Sequence, residues 1–134
     1  MATIRREIVT TASPADVWDA IRDVGALHTR LVPGFVTDTK LEPGARIVTF
    51  ANGMVARELI VDVDAGARRV AWSVVGGKLT HHNASAQAFA EGESSCRVVW
   101  IADFLPNDDT ARIAAMIEHG LAAMQRTLED ATIG

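Results

Sequence analysis

The sequence predicts an α+β fold: a curved seven-stranded antiparallel sheet wrapped around one long C-terminal helix, with two short helices after the first strand. Three observations predict it. The stretch from Arg57 to Phe104 reads as four consecutive strands joined by tight turns. Pro106-Asn107-Asp108-Asp109 then opens a helix on which Ile113, Ile117, Gly120, Leu121, Met124 and Leu128 share one stripe at helical spacing. Near the other end, Ser13-Pro14-Ala15-Asp16 is a helix start: Ser13 can cap, Pro14 takes the first helical position, and Asp16 puts negative charge at the positive end. A curled sheet of this kind cannot close its own concave face. The helix must lie across it, and the space between is filled by side chains or by a ligand.

The elements follow in order. Thr3 to Thr10 is the first strand, with Ile4 and Ile8 on one face. The capped helix carries Val17, Trp18 and Ile21 on one side, Gly25 interrupts, and Ala26 to Leu31 forms a second short helix ended by Pro33-Gly34. Phe35 to Leu41 and Arg46 to Phe50 are strands around the turn Glu42-Pro43-Gly44. Asn52-Gly53 is a strong hairpin signal, leading into Met54 to Val63. Asp64 to Ala67 turns that strand back into Arg69 to Val75, and Gly76-Gly77 breaks the sheet edge. Thr80 to Ala90 and Cys96 to Leu105 complete the sheet around the turn Glu91-Gly92-Glu93-Ser94.

The chain of 134 residues reads as a single domain, 1–134, long enough to bury a core without disulfides. Its 49% hydrophobic and 22% charged composition is that of a soluble globular protein. A net charge of −4, with no basic cluster larger than Arg5-Arg6 or Arg68-Arg69, argues against a nucleic-acid surface. Cys96 is alone, which fits a reducing compartment. The first residues have no apolar signal-like run and no window offers a membrane span, so the expected location is cytoplasmic.

This order of elements resembles the helix-grip fold of the START-like (SRPBCC) superfamily, which includes the birch pollen allergen, polyketide aromatase/cyclases, lipid-transfer domains and plant abscisic acid receptors. The resemblance covers nearly the whole chain. It is carried by Ser13-Pro14-Ala15-Asp16-Val17-Trp18, Pro43-Gly44-Ala45-Arg46, Arg57-Glu58-Leu59 with Asp64, Arg68-Arg69-Val70-Ala71-Trp72-Ser73, Gly76-Gly77, Asn83, and Trp100 with Phe104-Leu105-Pro106. It implies a cavity between sheet and helix. By likeness to the abscisic acid receptors, the ligand-lining positions would be Glu58, Trp72, Ala84, Ala86, Val99 and Ile101, with Ile113, Ile117 and Leu121 on the helix. The chain departs from those receptors at Ala84 and Val99, so a hormone-receptor role is not implied.

Strand parity sorts the faces. With Gly92-Glu93 as a two-residue hairpin turn, Ala88 opposes Arg97, Ala86 opposes Val99, Ala84 opposes Ile101 and His82 opposes Asp103. In the preceding hairpin, Glu58, Ile60, Trp72 and Val74 share a face. Taking the His82/Asp103 face as concave, its small alanines and Gly120 leave a groove to be filled by Trp72, Met124 and neighbours, or by an apolar guest.

The catalytic candidates are Glu58, His82 and Asp103. An inward Glu58 must be paired or have its pKa raised, and could hold a ligand hydroxyl or amine, act as an acid or base, or simply partner Arg46. His82 and Asp103 could form a cross-strand pair that favours the charged imidazole. No serine or cysteine nucleophile stands beside them. His81 and His82 point to opposite faces, so no metal site is expected, and no cofactor is implied.

The leading expectation is a protein that binds a small, mainly apolar ligand such as a polyketide, lipid or aromatic metabolite. An apolar surface that includes Ile60 and Met124 would supply affinity, and Glu58, His82 and Asp103 orientation. A second reading is a cyclase or dehydratase that uses those same groups as acid and base. A third is a homodimeric interaction module presenting Trp100 and Phe104 outward.

Overall fold

A computed structural model describes residues 2–76 and 79–133. Gly77, expected with Gly76 to break the sheet edge, lies outside the described residues. Strand β1 (Ala2–Thr10) is followed by helix α1 (Pro14–Ile21), a π-helical turn (Leu27–Leu31), and strands β2 (Val36–Glu42), β3 (Ala45–Phe50), β4 (Val55–Asp64), β5 (Arg69–Val75), β6 (His81–Gly92) and β7 (Ser95–Leu105). A 3-10 turn (Asn107–Asp109) then leads into the long helix α2 (Thr110–Ile133). The seven strands form one antiparallel sheet in the order β1-β7-β6-β5-β4-β3-β2.

Local chemistry accounts for the boundaries. The Ser13 hydroxyl accepts the Asp16 amide at 3.2 Å and caps α1. The β3–β4 turn places Gly53 at φ +89°, a left-handed conformation that glycine adopts without strain, while the Asn52 side chain accepts the Met54 amide at 3.0 Å. The expected second helix is a single π-helical turn, tied by ion pairs from Arg30 to Asp19 on α1 and to Asp23 in the loop that follows it.

The β6–β7 register corrects the sequence reading. The hairpin turns on Glu93 and Ser94, with Gly92 opposite Ser95, and a bulge at Glu91 shifts the ladder by one residue. Ala88 therefore opposes Val98, Ala86 opposes Trp100, Ala84 opposes Ala102 and His82 opposes Phe104. A one-residue slip exchanges the two faces of a strand. Val98, Trp100, Ala102 and Phe104 consequently face α2, and Arg97, Val99, Ile101 and Asp103 face the other way. The physical reason is burial: Val98, Ala102 and Phe104 are completely enclosed, whereas the alternative would place Arg97 and Asp103 in the core.

The core runs from Ile4 on β1 through Val98 and Phe104 on β7 to Ile117, Leu121 and Leu128 on α2. Helix α2 is fastened to the sheet edge by Arg6 to Glu118 at 3.1 Å and by the Gln125 amide donating to the Val9 carbonyl at 3.0 Å. At Gly120 the rings of Trp100 and Phe35 lie close against the helix. A Cβ there would stand 2.8 Å from Trp100 Cζ3 and 3.1 Å from Phe35 Cε2. Gly120→Leu is therefore expected to lower stability by about 1–3 kcal/mol through overpacking, despite leucine's better helix propensity, worth about 1 kcal/mol. Urea denaturation checks this; a stabilised variant would show that the rings yield freely.

Candidate functional site

Between the concave face and α2 lies a cavity of about 500 Å³. Its far wall comes from the π-helical turn through Leu27 and Leu31, and its helical wall from Ile113, Met116 and Met124. The sheet contributes Val48, Val70, Trp72, Val74, Ala86 and Trp100. Met54, Val55, Val75, Leu79 and Arg112 also border it.

One polar row crosses this wall. Arg46 on β3 stands opposite Glu58 on β4, and Glu58 stands opposite Val74 on β5. The β5–β6 register, Trp72 to Ala84 and Ser73 to Asn83, brings His82 alongside Val74. All four residues line the cavity. Arg46 Nε donates to Glu58 Oε1 at 2.8 Å, with the two residues only 3% and 6% exposed. Arg46 Nη1 also donates to the Val24 carbonyl at 3.2 Å, and the guanidinium carbon sits 5.2 Å from the centre of the Trp72 ring. Burial pushes the Glu58 carboxyl above its ordinary range, outweighing the downward pull of Arg46. The loop after α1, the start of β3, and strands β4 and β5 thus converge on one buried ion pair.

The His82 ring packs edge-on against Phe104, and its nitrogens make no hydrogen bond among the described residues. Burial lowers its pKa, and the charges of His81 and Arg112 lower it further. The ring is therefore neutral at pH 7, the opposite of the charged form expected from an Asp103 partner. Asp103 lies on the reverse face, opposite Asn83, where its carboxylate accepts the Thr3 hydroxyl at 2.6 Å. The expected His82–Asp103 pair does not form.

The remaining sequence-derived positions divide clearly. Glu58, Trp72, His82, Ala86, Ile113 and Met124 line the cavity. Ala84, Ile117 and Leu121 are buried in the adjoining core, and half-buried Ile60 pairs with Trp72 across β4–β5. Gly120 lies beneath Trp100 and Phe35, whose rings occupy the space that its missing side chain leaves. Val99 and Ile101, opposite Gln87 and Ser85, belong with Asp103 to the reverse face. Trp100 and Phe104, expected outward in the homodimer reading, both face inward. Trp100 meets Trp72 edge-on at 5.8 Å, and its indole N–H finds no acceptor among the described residues. Sequence reasoning did not place Arg46, Trp100, Val48 or the π-helical turn at the cavity. The strictly apolar alternation Cys96-Val98-Trp100-Ala102-Phe104 was the available signal for Trp100. Among the described residues no cluster of metal-ligating side chains occurs, and no helix is long and apolar enough to cross a membrane.

The sequence profile of the family described as polyketide cyclase/dehydrase and lipid transport matches residues 1–129. The chain belongs to this family. No curated protein matches the sequence. Among solved structures, an uncharacterised protein from Bacillus thuringiensis superposes with a TM-score of 0.85 at 18% identity, over 95% of this chain and 98% of that one. The di-domain ARO/CYC protein BexL of the BE-7585A biosynthetic pathway gives a TM-score of 0.86 at 16% identity over 100% of this chain. The match takes in 48% of BexL, so this chain spans about half of its length. Norcoclaurine synthase from Thalictrum flavum, solved with dopamine and hydroxybenzaldehyde, gives 0.75 at 20% identity over 98% of this chain and 86% of its own. At such identities the likeness is one of fold. The seven-stranded sheet and long C-terminal helix of this polyketide cyclase/dehydrase and lipid-transport family member are the helix-grip architecture that its sequence resembles.

Within this family member, His82 couples the site to stability. The unfolded chain takes up a proton on this ring near 6.5, and the folded protein only at lower pH. Between those values the unfolded state holds more protons, so stability falls as pH falls. Urea midpoints are expected to drop between about pH 7.5 and about pH 5.5, and His82→Leu to flatten the slope. An unchanged slope would assign the effect elsewhere.

Proposed function

We propose that this protein binds a small, mainly apolar molecule in the cavity under α2. The observation that carries this reading is the cavity itself: about 500 Å³, walled by aliphatic and aromatic side chains, with one buried ion pair and one neutral imidazole on the same wall. Ligand pockets commonly span about 300–1,000 Å³ and combine apolar walls with a few placed polar groups. Native packing leaves few voids larger than a water molecule, so a space of this size fits a container. The polyketide cyclase/dehydrase and lipid-transport family supports the same reading.

Native mass spectrometry of the protein as purified is expected to show a co-purifying small molecule. Isothermal titration with a bicyclic aromatic such as 2-naphthol is expected to give one-to-one binding. Ala86→Phe, which places a ring in the cavity, should abolish that binding while the protein stays folded by circular dichroism. Undiminished binding by the variant would place the guest elsewhere and remove the proposal.

A second reading is favoured by one observation. Glu58 and His82 face the same cavity, and burial moves the acid up from its ordinary value and the base down from its own, drawing the two towards each other. Groups so placed can exchange protons with a bound molecule, as a cyclase or dehydratase requires. On that reading His82→Ala would abolish turnover and leave binding intact. Asp103 plays no part, because it lies outside the cavity.

A further inference from the structure

We infer that the bound molecule presents a hydroxyl group to the strip of wall over Val74, where Glu58 and His82 recognise it together. This inference rests on the ligand-binding reading and specifies its chemistry. Glu58 and His82 sit on β4 and β6 with only β5 between them, so their backbones are two strand spacings apart, about 9.5 Å. Val74 occupies the intervening position, short and apolar. The two side chains line the cavity on either side of it, and a small polar group between them would be held by a hydrogen bond of about 2.8 Å on each side.

The unused bonding capacity decides which group fits. Glu58 Oε1 is occupied by Arg46, and the second carboxylate oxygen has no partner among the described residues. As a carboxylate it can only accept. His82 in its neutral form has one N–H to donate, and it too is unused. The complementary group must donate on one side and accept on the other, which a hydroxyl does. A hydrocarbon does neither. A ketone or ether cannot donate to Glu58. A carboxylate can accept from His82 but cannot donate to Glu58, and an ammonium can donate to Glu58 but cannot accept from His82. An alcohol or phenol on an otherwise apolar frame satisfies both Glu58 and His82.

Titration of the full chain with 2-naphthol, 2-methoxynaphthalene and naphthalene tests this. The hydroxyl compound is expected to bind about 10- to 100-fold more tightly than either analogue, the worth of one to two hydrogen bonds in a buried site. His82→Leu should cut that preference to a few-fold without abolishing binding. Val74→Phe, which leaves the Arg46–Glu58 pair and His82 in place, should remove it by covering the strip. Equal affinity for the three compounds, or a preference that survives both substitutions, overturns the inference while leaving the ligand-binding reading intact. Absence of binding by all three overturns both.

Discussion

Arg46→Met is expected to lower stability by about 3–5 kcal/mol, the range for removing one partner of a buried ion pair. The loss follows from what remains. Glu58 is 6% exposed, and its one charge partner among the described residues is Arg46. Without the guanidinium the carboxyl is desolvated and uncompensated, so its pKa climbs further above the ordinary value of 4.5. The folded variant then holds a proton that the unfolded chain releases. The contribution of Glu58 to its stability is therefore greatest in acid and declines as pH rises through 4.5 towards the raised value. The double variant Arg46→Met/Glu58→Leu should recover most of the loss, because apolar groups of similar volume replace such pairs at little cost. Urea denaturation of both variants across pH decides the matter. Equal destabilisation of single and double variants would mean that lost packing on Trp72 dominates.

Phe104→Ala is expected to cost about 3–5 kcal/mol, as for other fully enclosed aromatic residues. Its neighbour Asp103 should behave oppositely. Asp103→Ala removes one exposed hydrogen bond to Thr3 and is expected to cost no more than about 1 kcal/mol. The contrast tests the β6–β7 register directly, since a slip of one residue exchanges the two positions. A large loss for Asp103→Ala with a small one for Phe104→Ala would restore the register in which His82 faces Asp103.

Much of this fold is legible in the sequence because its signals are local. The Ser13 cap, the Asn52-Gly53 turn and the helical stripe from Ile113 to Leu128 each depend on residues a few positions apart, and each stands where expected. The grouping of Glu58, Ile60, Trp72 and Val74 on one face of β4–β5 agrees with the register, in which Ile60 opposes Trp72 and Glu58 opposes Val74, and it places Glu58 on the cavity wall. The β6–β7 pairing is different. Whether a hairpin turns on Gly92-Glu93 or on Glu93-Ser94 is settled by where Val98, Trp100 and Phe104 find cover, and that cover is α2, distant in sequence. Propensity near the turn does not register it. The bulge at Glu91 accommodates the outcome, and with it Val99, Ile101 and Asp103 leave the site while Trp100 joins it. The π-helical turn was missed as a cavity wall for a related reason: Leu27 and Leu31 reach the cavity through the ion pairs that Arg30 makes to Asp19 and Asp23, again a tertiary arrangement.

The edge-on meeting of Trp72 and Trp100 has a practical consequence. Both indoles border the hollow, whereas Trp18 sits on α1 and does not. Two such chromophores at 5.8 Å share excitation energy, so quenching of either darkens the pair. A visitor to the hollow therefore announces its arrival in the protein's own ultraviolet emission, without dye or label. Replacing Trp18 with phenylalanine would leave a signal that comes from the cavity wall alone.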